Sequence, residues 1–377
     1  RKPFISNGKT MNISLAKPSL GEEELTEVRK VFESGWVAGN GPTGEKLSCL
    51  VNEKYGFSYS LPVSNCTAGL HLALLCLDIG EGDDVLVSDF TFPATGHSVM
   101  YTGANPIFVD SEPSTYNFDI ADAYKKLTPN TKAIICVHTF GNMCEMDKIM
   151  ELASKYNLKV IEDCAQSHGA TYKGKKAGSI GDVGCFSFYP TKIFGAYGDG
   201  GFITTNNEQI HDKIKRIRFL GMEKKKMSSG HWNGKYYAVE HGTNSRLDEV
   251  HAAILLKKLK YLDEWIERRR NLATIYNKEL KNTSLELPIE HPDNRHAYYI
   301  YVVKHNERDK IMSELVKKDI HLNISYPWPI HIMDAYKHFE CESCNCSRRN
   351  SKEDTCNLLT ETEISSRKVF SLPMYPT

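Results

Sequence analysis

The sequence predicts an α/β fold, with a large, doubly wound, mostly parallel sheet followed by a smaller α+β unit. Short runs rich in β-branched residues alternate with helical periodicity through roughly the first two thirds of the chain. Those runs are apolar on both faces, as strands covered on two sides must be. Beyond about residue 265 the alternation gives way to a charged helix, a short strand–helix–strand pattern and a polar tail. We therefore place a large domain at residues 1–265 and a small α+β domain at 266–377.

Taken in order, residues 22–34 put Leu25, Val28 and Phe32 on one helical face and stop at Gly35. Residues 45–55 repeat that pattern with Leu47, Leu50 and Val51 and stop at Gly56. Residues 67–77 (TAGLHLALLCL) are apolar nearly all round, which predicts a buried helix. Strands are predicted at 84–88, 105–110, 131–139, 158–163, 185–189 and 201–205, with a helix at 145–156. A long charged helical region covers 247–280; its arginines at 268–270 interleave with apolar positions, as on a solvated face. The small domain reads as a strand at 297–304, a helix at 308–318 and a strand at 320–326. A polar, cysteine-rich loop at 340–358 follows, and no closing helix is expected after SLPMYPT.

Composition narrows the function classes. The 47 basic residues balance 47 acidic ones, so no global positive field exists to hold nucleic acid or an acidic membrane. Apolar runs fall far short of the roughly 20 residues of a bilayer span. The first 12 residues are polar and show no secretory signal. The 11 cysteines, an odd number scattered through a chain able to build a core, read as reduced thiols of a cytoplasmic protein. Cys341, Cys344, Cys346 and Cys356 could in principle bind zinc, but their spacing matches no paired CxxC pattern, and surface thiols without a metal are expected.

Several motifs carry chemistry. Gly39 to Gly44 spells GxGxxG but follows a helix instead of a strand, which predicts a flexible loop and not a dinucleotide site. Ser64-Asn65-Cys66-Thr67-Ala68-Gly69 opens the apolar helix; it suits an anion at a helix N-terminus and equally an ordinary N-cap. Glu162-Asp163 ends a strand, where ligands of open parallel sheets bind, although a strand-end acid can also simply cap a turn. Lys192 follows a strand between Pro190 and a glycine-rich stretch, a setting that can present an amine to a cofactor as well as to solvent. Together and in this order, a phosphate-type helix start, a strand-end acid and a strand-end lysine are the parts pyridoxal 5′-phosphate needs.

These residues also carry a resemblance. SGWVAGNGP (34–42), SNCTAGLHLAL (64–74), GDDVLVSDFTFPAT (82–95), VIEDCAQSHGA (160–170), SFYPTK (187–192), GAYGDGG (195–201), GTNSRLDEVHAAIL (242–255) and SYPWPIH (325–331) resemble the DegT/DnrJ group of sugar aminotransferases. The similarity runs from Pro18 to Pro376. It implies the seven-stranded, aspartate aminotransferase-like architecture of fold type I. It also implies pyridoxal 5′-phosphate as cofactor, with pyridoxamine 5′-phosphate formed in turnover, and a cytoplasmic homodimer with shared active sites.

Carried over by position, the resemblance implies that Lys192 holds the cofactor aldehyde as an imine and shuttles the proton, while Asp163 pairs with the pyridine nitrogen. Phe92 would stack on one ring face and Gln166 lie against the other or near the phenolic oxygen. Thr67, Ala68 and Ser187 would hold the phosphate, joined by Asn244 from the neighbouring subunit with Arg246 close by. Tyr326 and His331 would border the sugar. The implied reaction moves an amino group from an amino acid, expected to be glutamate, to a 3-keto rather than 4-keto group of a nucleotide-linked deoxy-sugar, in amino-sugar and polysaccharide biosynthesis. The alternatives are a sugar dehydratase on the same scaffold, whose relatives carry His in place of the lysine, and a non-catalytic regulator. The chain departs from the family in having Ile193-Phe194 where Asn usually follows the lysine, which predicts local repacking, and in lacking the family's last helix.

Overall fold

The computed structural model describes residues 5–6, 9–10, 13–19, 21–226, 233–336 and 359–375, the side chains at 5–6, 9–10, 224–226 and 233–235 apart. Its centre is a seven-stranded sheet. We number the strands β1 (Tyr59–Val63), β2 (Asp84–Ser88), β3 (Asn105–Val109), β4 (Thr131–Val137), β5 (Lys159–Asp163), β6 (Val183–Ser187) and β7 (Gly201–Thr205). Their spatial order is β1-β7-β6-β5-β4-β2-β3, and β7 alone runs antiparallel to its neighbours.

The helices are α1 (Glu22–Ser34), α2 (Pro42–Tyr55), α3 (Cys66–Cys76), α4 (Ala94–Met100), α5 (Met146–Tyr156), α6 (Glu208–Ile217), α7 (Glu249–Lys258), α8 (Leu262–Leu280), α9 (Arg308–Val316) and α10 (Thr360–Lys368). On one face of the sheet, Leu47 and Val51 of α2, Ile149 and Leu152 of α5 and Leu255 of α7 form a core. On the other, Leu70 and Leu74 of α3, Val99 of α4 and Ile214 and Ile217 of α6 form a second. β4 shows how the strands serve both: Ile134 and Cys136 join the first core, Ala133 and Ile135 the second. Each such buried aliphatic side chain contributes about 1.5–3 kcal/mol relative to exposure, which is why α3, apolar on every side, sits against the sheet.

A smaller core gathers Tyr298, Tyr301, Val303, Phe370, Leu372 and Met374 around β8 (Tyr301–Lys304) and its antiparallel partner β9 (Val369–Leu372). The residue 265/266 boundary read from sequence falls inside α8, whose Leu262 and Ile266 belong to the first core and Ala273 to the small one.

Several expectations are corrected. The strand expected at 320–326 does not form; Ile320 and Asn323 make single bridges, to Ile13 and Ser371, because β9 takes the edge of β8. The strand expected at 297–304 is shorter, since Tyr298 has φ 48°, outside the extended region. Residues 247–280 form two helices separated by a 3₁₀ turn at Leu259–Tyr261. β1 and α10 were not foreseen.

The GxGxxG segment is not a loose loop. Glu249, at the start of α7, accepts the backbone N–H groups of Gly41 (3.2 Å), Thr43 (2.7 Å) and Gly44 (3.0 Å). A Cβ on Gly41 would lie 2.6 Å from that carboxylate, so close approach explains the glycine. The four-cysteine cluster at 341, 344, 346 and 356 lies outside the described residues; the seven cysteines within them are free thiols. No helix among the described residues is long and apolar enough to cross a membrane.

Candidate active site

Strand register sets the site. Cys185 of β6 pairs with Asp163 of β5, which pairs with Val137 of β4; Ser187 pairs with Gly201, which pairs with Val63. Asp163, Ser187 and the approach to α3 therefore share the edge where the parallel strands end, the usual ligand edge of an open α/β sheet. Gly201 permits this, because a Cβ there would lie 2.5 Å from the Asn65 backbone that starts α3.

The two strand-end acids have different tasks because successive side chains point to opposite faces. Glu162 is saturated: it accepts the amides of Gly178 (2.9 Å), Ile180 (2.8 Å) and Gly181 (2.7 Å) and faces His138 Nε2 at 2.9 Å. The Cys144 amide donates to His138 Nδ1 at 3.2 Å, which leaves Nε2–H to face Glu162. Asp163 points the other way. It is buried, accepts the Ala165 amide (3.1 Å) and the Thr95 hydroxyl (3.0 Å), and has no ion-pair partner among the described residues. Burial raises its carboxyl above the ordinary range, opposed by those two donors and by the charge of Lys192.

Lys192 follows a turn closed by its own amide on the Tyr189 carbonyl at 2.8 Å. Its Nζ lies 4.4 Å from the ring centroid of Tyr299, a residue that gave no sequence signal, and it too lacks a carboxylate partner among the described residues. The charge of Lys192 acts on Asp163, Cys66 and His168, so the amine, the acid and the α3 start share one locality. His168 is buried, and neither ring nitrogen has a hydrogen-bond partner among the described residues; burial first, and Lys192 second, pull it down to about 3, so it is neutral.

At the start of α3, Asn65 Oδ1 caps the helix by accepting the Ala68 amide at 2.8 Å. The N-cap reading therefore holds, and of the two amides foreseen for an anion only that of Thr67 has no acceptor among the described residues. Ser187 is buried at the end of β6 and accepts the Tyr189 amide at 3.3 Å. Phe92, just before α4, is 64% exposed, a large ring facing solvent beside an otherwise buried site.

Gln166 and Tyr326, predicted separately, meet: Gln166 Oε1 accepts the Phe140 amide at 2.7 Å and Nε2 donates to the Tyr326 hydroxyl. Phe90 and Phe140 pack on the Tyr326 ring. His331 is placed otherwise than an open sugar-site residue. It is buried, with Nδ1 2.6 Å from Asp89 Oδ2 and Nε2 3.5 Å from Glu363 Oε1. Asn244 is on the surface, its Oδ1 accepting Nε (3.1 Å) and Nη2 (3.0 Å) of Arg246, whose guanidinium covers the Phe219 ring at 4.2 Å. The adjacent Ser245 carbonyl accepts the Ser64 amide at 3.3 Å, tying that loop to the approach to α3. Ile193 and Phe194 are buried; Phe194 packs edge-on against Phe188, so the family departure is absorbed by an aromatic core. Thr95 and Tyr299 are the site residues missed, one hidden inside the quoted segment 82–95 and one in a strand-like run.

Comparison with known proteins agrees with this geometry. The model of the DegT/DnrJ/EryC1/StrS aminotransferase family matches residues 18–377. The dTDP-3-amino-3,4,6-trideoxy-alpha-D-glucose transaminase of Micromonospora megalomicea subsp. nigra is 38% identical over 94% of this chain and 90% of its own. The crystal structure of DesV from S. venezuelae, in complex with a ketimine intermediate, superposes with a TM-score of 0.85 at 32% identity, covering 94% of this chain and 89% of that one. NtdA of Bacillus subtilis, solved with bound cofactor PMP, gives a TM-score of 0.82 at 29% identity over 94% of this chain and 77% of its own. With its acid and its amine brought to one edge of the sheet, and with these relatives spanning nearly its whole length, the chain belongs to the DegT/DnrJ/EryC1/StrS aminotransferase family.

Proposed function

We propose that the chain is a pyridoxal 5′-phosphate-dependent aminotransferase that moves an amino group from glutamate to the 3-keto group of a nucleotide-linked deoxy-sugar. The observation that carries this reading is Asp163, a buried carboxylate at the ligand edge with two hydrogen-bond donors and no ion-pair partner among the described residues. A buried acid of this kind needs a positive partner, and a protonated pyridine nitrogen is one. When bound, pyridoxal phosphate supplies an electron sink and an aldehyde that can carry an amino group between two substrates.

The chain's own residues do the rest. Thr95 and Ala165 orient Asp163 and favour its ionised form. Lys192, held over Tyr299, would hold the aldehyde end of the cofactor and would take up and return a proton at Nζ. The Thr67 amide and hydroxyl and Ser187 are offered to the phosphate, Ala68 serving through its cap, and Phe92 would be covered once a ring stacks on it. Gln166, fixed by Phe140 and Tyr326, forms the facing wall. His331 acts from behind, by fixing Asp89 at the end of β2. Asn244 and Arg246, on the surface, fit contribution to a second subunit's site in a homodimer. The free thiols suit a reducing, cytoplasmic setting. The 3-keto choice leans on the name of the 38% identical relative.

The test has two arms. Borohydride reduction of the cofactor-loaded protein followed by peptide mapping should label Lys192, and labelling elsewhere overturns the assignment. Incubation with glutamate and a panel of nucleotide-linked 3-keto and 4-keto sugars, read by mass spectrometry, should aminate a 3-keto sugar; amination of 4-keto sugars alone overturns the choice of carbon.

A further inference from the structure

Lys258, the last residue of α7, is 1% exposed, and no carboxylate among the described residues pairs with it. Its Nζ donates to the Gly195 carbonyl at 2.6 Å and lies 5.0 Å from the ring centroid of Tyr197 and 5.9 Å from that of Trp265. A lysine buried without an acid is unfavourable unless its position is used. Its acceptor belongs to the turn that follows Lys192.

That turn is tight. A Cβ on Gly195 would lie 2.5 Å from the Pro190 carbonyl oxygen and 2.8 Å from that of Tyr189. The Lys192 amide bonds the Tyr189 carbonyl at 2.8 Å, and the Ala196 amide bonds the Phe188 carbonyl at 2.7 Å. The Gly195 carbonyl therefore sits between the amine-bearing residue and the return of the chain to β7, and Lys258 holds it from behind. The groups facing Lys258 are Tyr197 just past the turn, whose hydroxyl accepts the Gly21 amide at 2.9 Å, Glu24 on α1 and Trp265 on α8. Burial lowers the ammonium to about 8, with Glu24 opposing.

We infer that Lys258 is a positioning residue, which sets the place of Lys192 by holding the turn at residues 189–196 through the Gly195 carbonyl. A charge-assisted hydrogen bond inside a protein is about twice as strong as a neutral one, so removing it should loosen this turn more than its surroundings. Lys258 touches no substrate and moves no proton in the reaction. Its effect should appear in the rate with bound substrate, and not in substrate binding. The inference rests on Lys192 being the reacting amine.

The experiment compares wild type with Lys258→Met and Lys258→Gln, the second keeping a neutral donor. Amide hydrogen exchange should show protection at Lys192 and Ala196 falling about tenfold in Lys258→Met, with strands β4 and β5 unchanged. In the cofactor-loaded enzyme kcat should fall about tenfold with KM for the amino donor held within about twofold, and Lys258→Gln should recover part of both losses. Unchanged exchange at the turn overturns the inference, as does faster exchange with kcat unaffected, or a loss carried by KM alone. Should Lys258→Met not fold, Lys258→Gln carries the same three readouts by itself. Borohydride labelling of wild type reports separately on Lys192: if Lys192 is not labelled, the functional assignment fails whatever the exchange shows.

Discussion

The Thr95 hydroxyl donates to Asp163 Oδ2 at 3.0 Å, the one side-chain hydrogen bond to that carboxylate among the described residues. The pair spans the sheet edge, from the start of α4 to the end of β5, and it makes a threonine with no catalytic signature a determinant of the acid's charge. Thr95→Val keeps the shape and deletes the donor. Hydrogen bonds to charged groups contribute about 1.5–3 kcal/mol, so kcat/KM should fall by about tenfold or more, with the loss visible in steady-state assays. Asp163→Asn should be worse, and a variant retaining wild-type kcat/KM would remove Asp163 from the mechanism.

The Tyr299 ring under Lys192 is expected to matter through its face and not its hydroxyl. Tyr299→Phe should keep kcat within about twofold. Tyr299→Leu should lower it about two- to fivefold, the range that a cation–π contact of about 0.5–1 kcal/mol implies. Equal losses in the two variants would assign the role to the hydroxyl instead.

His331 supplies a pH-dependent contribution to stability. Burial works against its imidazolium, but Asp89 and then Glu363, itself paired with Arg367, overcome this and hold it at about 9. A folded value above the ordinary one stabilises the native state fully below about pH 6.5, and that contribution disappears as pH rises through about 9. Asp89→Asn keeps an acceptor for the His331 backbone amide and removes the charge. Chemical denaturation should show a deficit of about 2–3 kcal/mol near pH 6 that shrinks toward pH 10. A deficit independent of pH would mean that the ring is neutral throughout.

Glu249 holds three backbone amides of the segment entering α2. Glu249→Ala leaves buried donors without partners and should destabilise by about 2–4 kcal/mol, read as a lower denaturation midpoint. Gly41→Ala should destabilise by about 1–3 kcal/mol through the close approach of Glu249 and Trp36 to the added carbon. Wild-type stability in both would show that the segment is held by other means.

What the sequence made legible follows from the range of the interactions. Lys192 and Asp163 each lie on or just past a local strand signal, and their order along the chain suffices to join them. β1 went unread because Pro62 sits in it; an edge strand tolerates that residue, and edge position is a tertiary fact. The run at 320–326 alternates like a strand, yet the edge it would need belongs to β9. The resemblance alone puts His331 at the border of the sugar site; its contacts with Asp89, 242 positions away, and with Glu363 on a helix that went unforeseen leave no local signal. GxGxxG could not be read correctly without Glu249, some 205 residues later.

The continuity of α8 between the large and small cores has a mechanical consequence. Midway along it, the Arg269 side chain is buried and donates through Nη1 to the carbonyls of Tyr299 at 2.9 Å and Met374 at 3.0 Å. The rod that braces one lobe is therefore also the clasp of the other. Melting should proceed as a single cooperative event, and severing the backbone between the lobes would not release two independently folding halves.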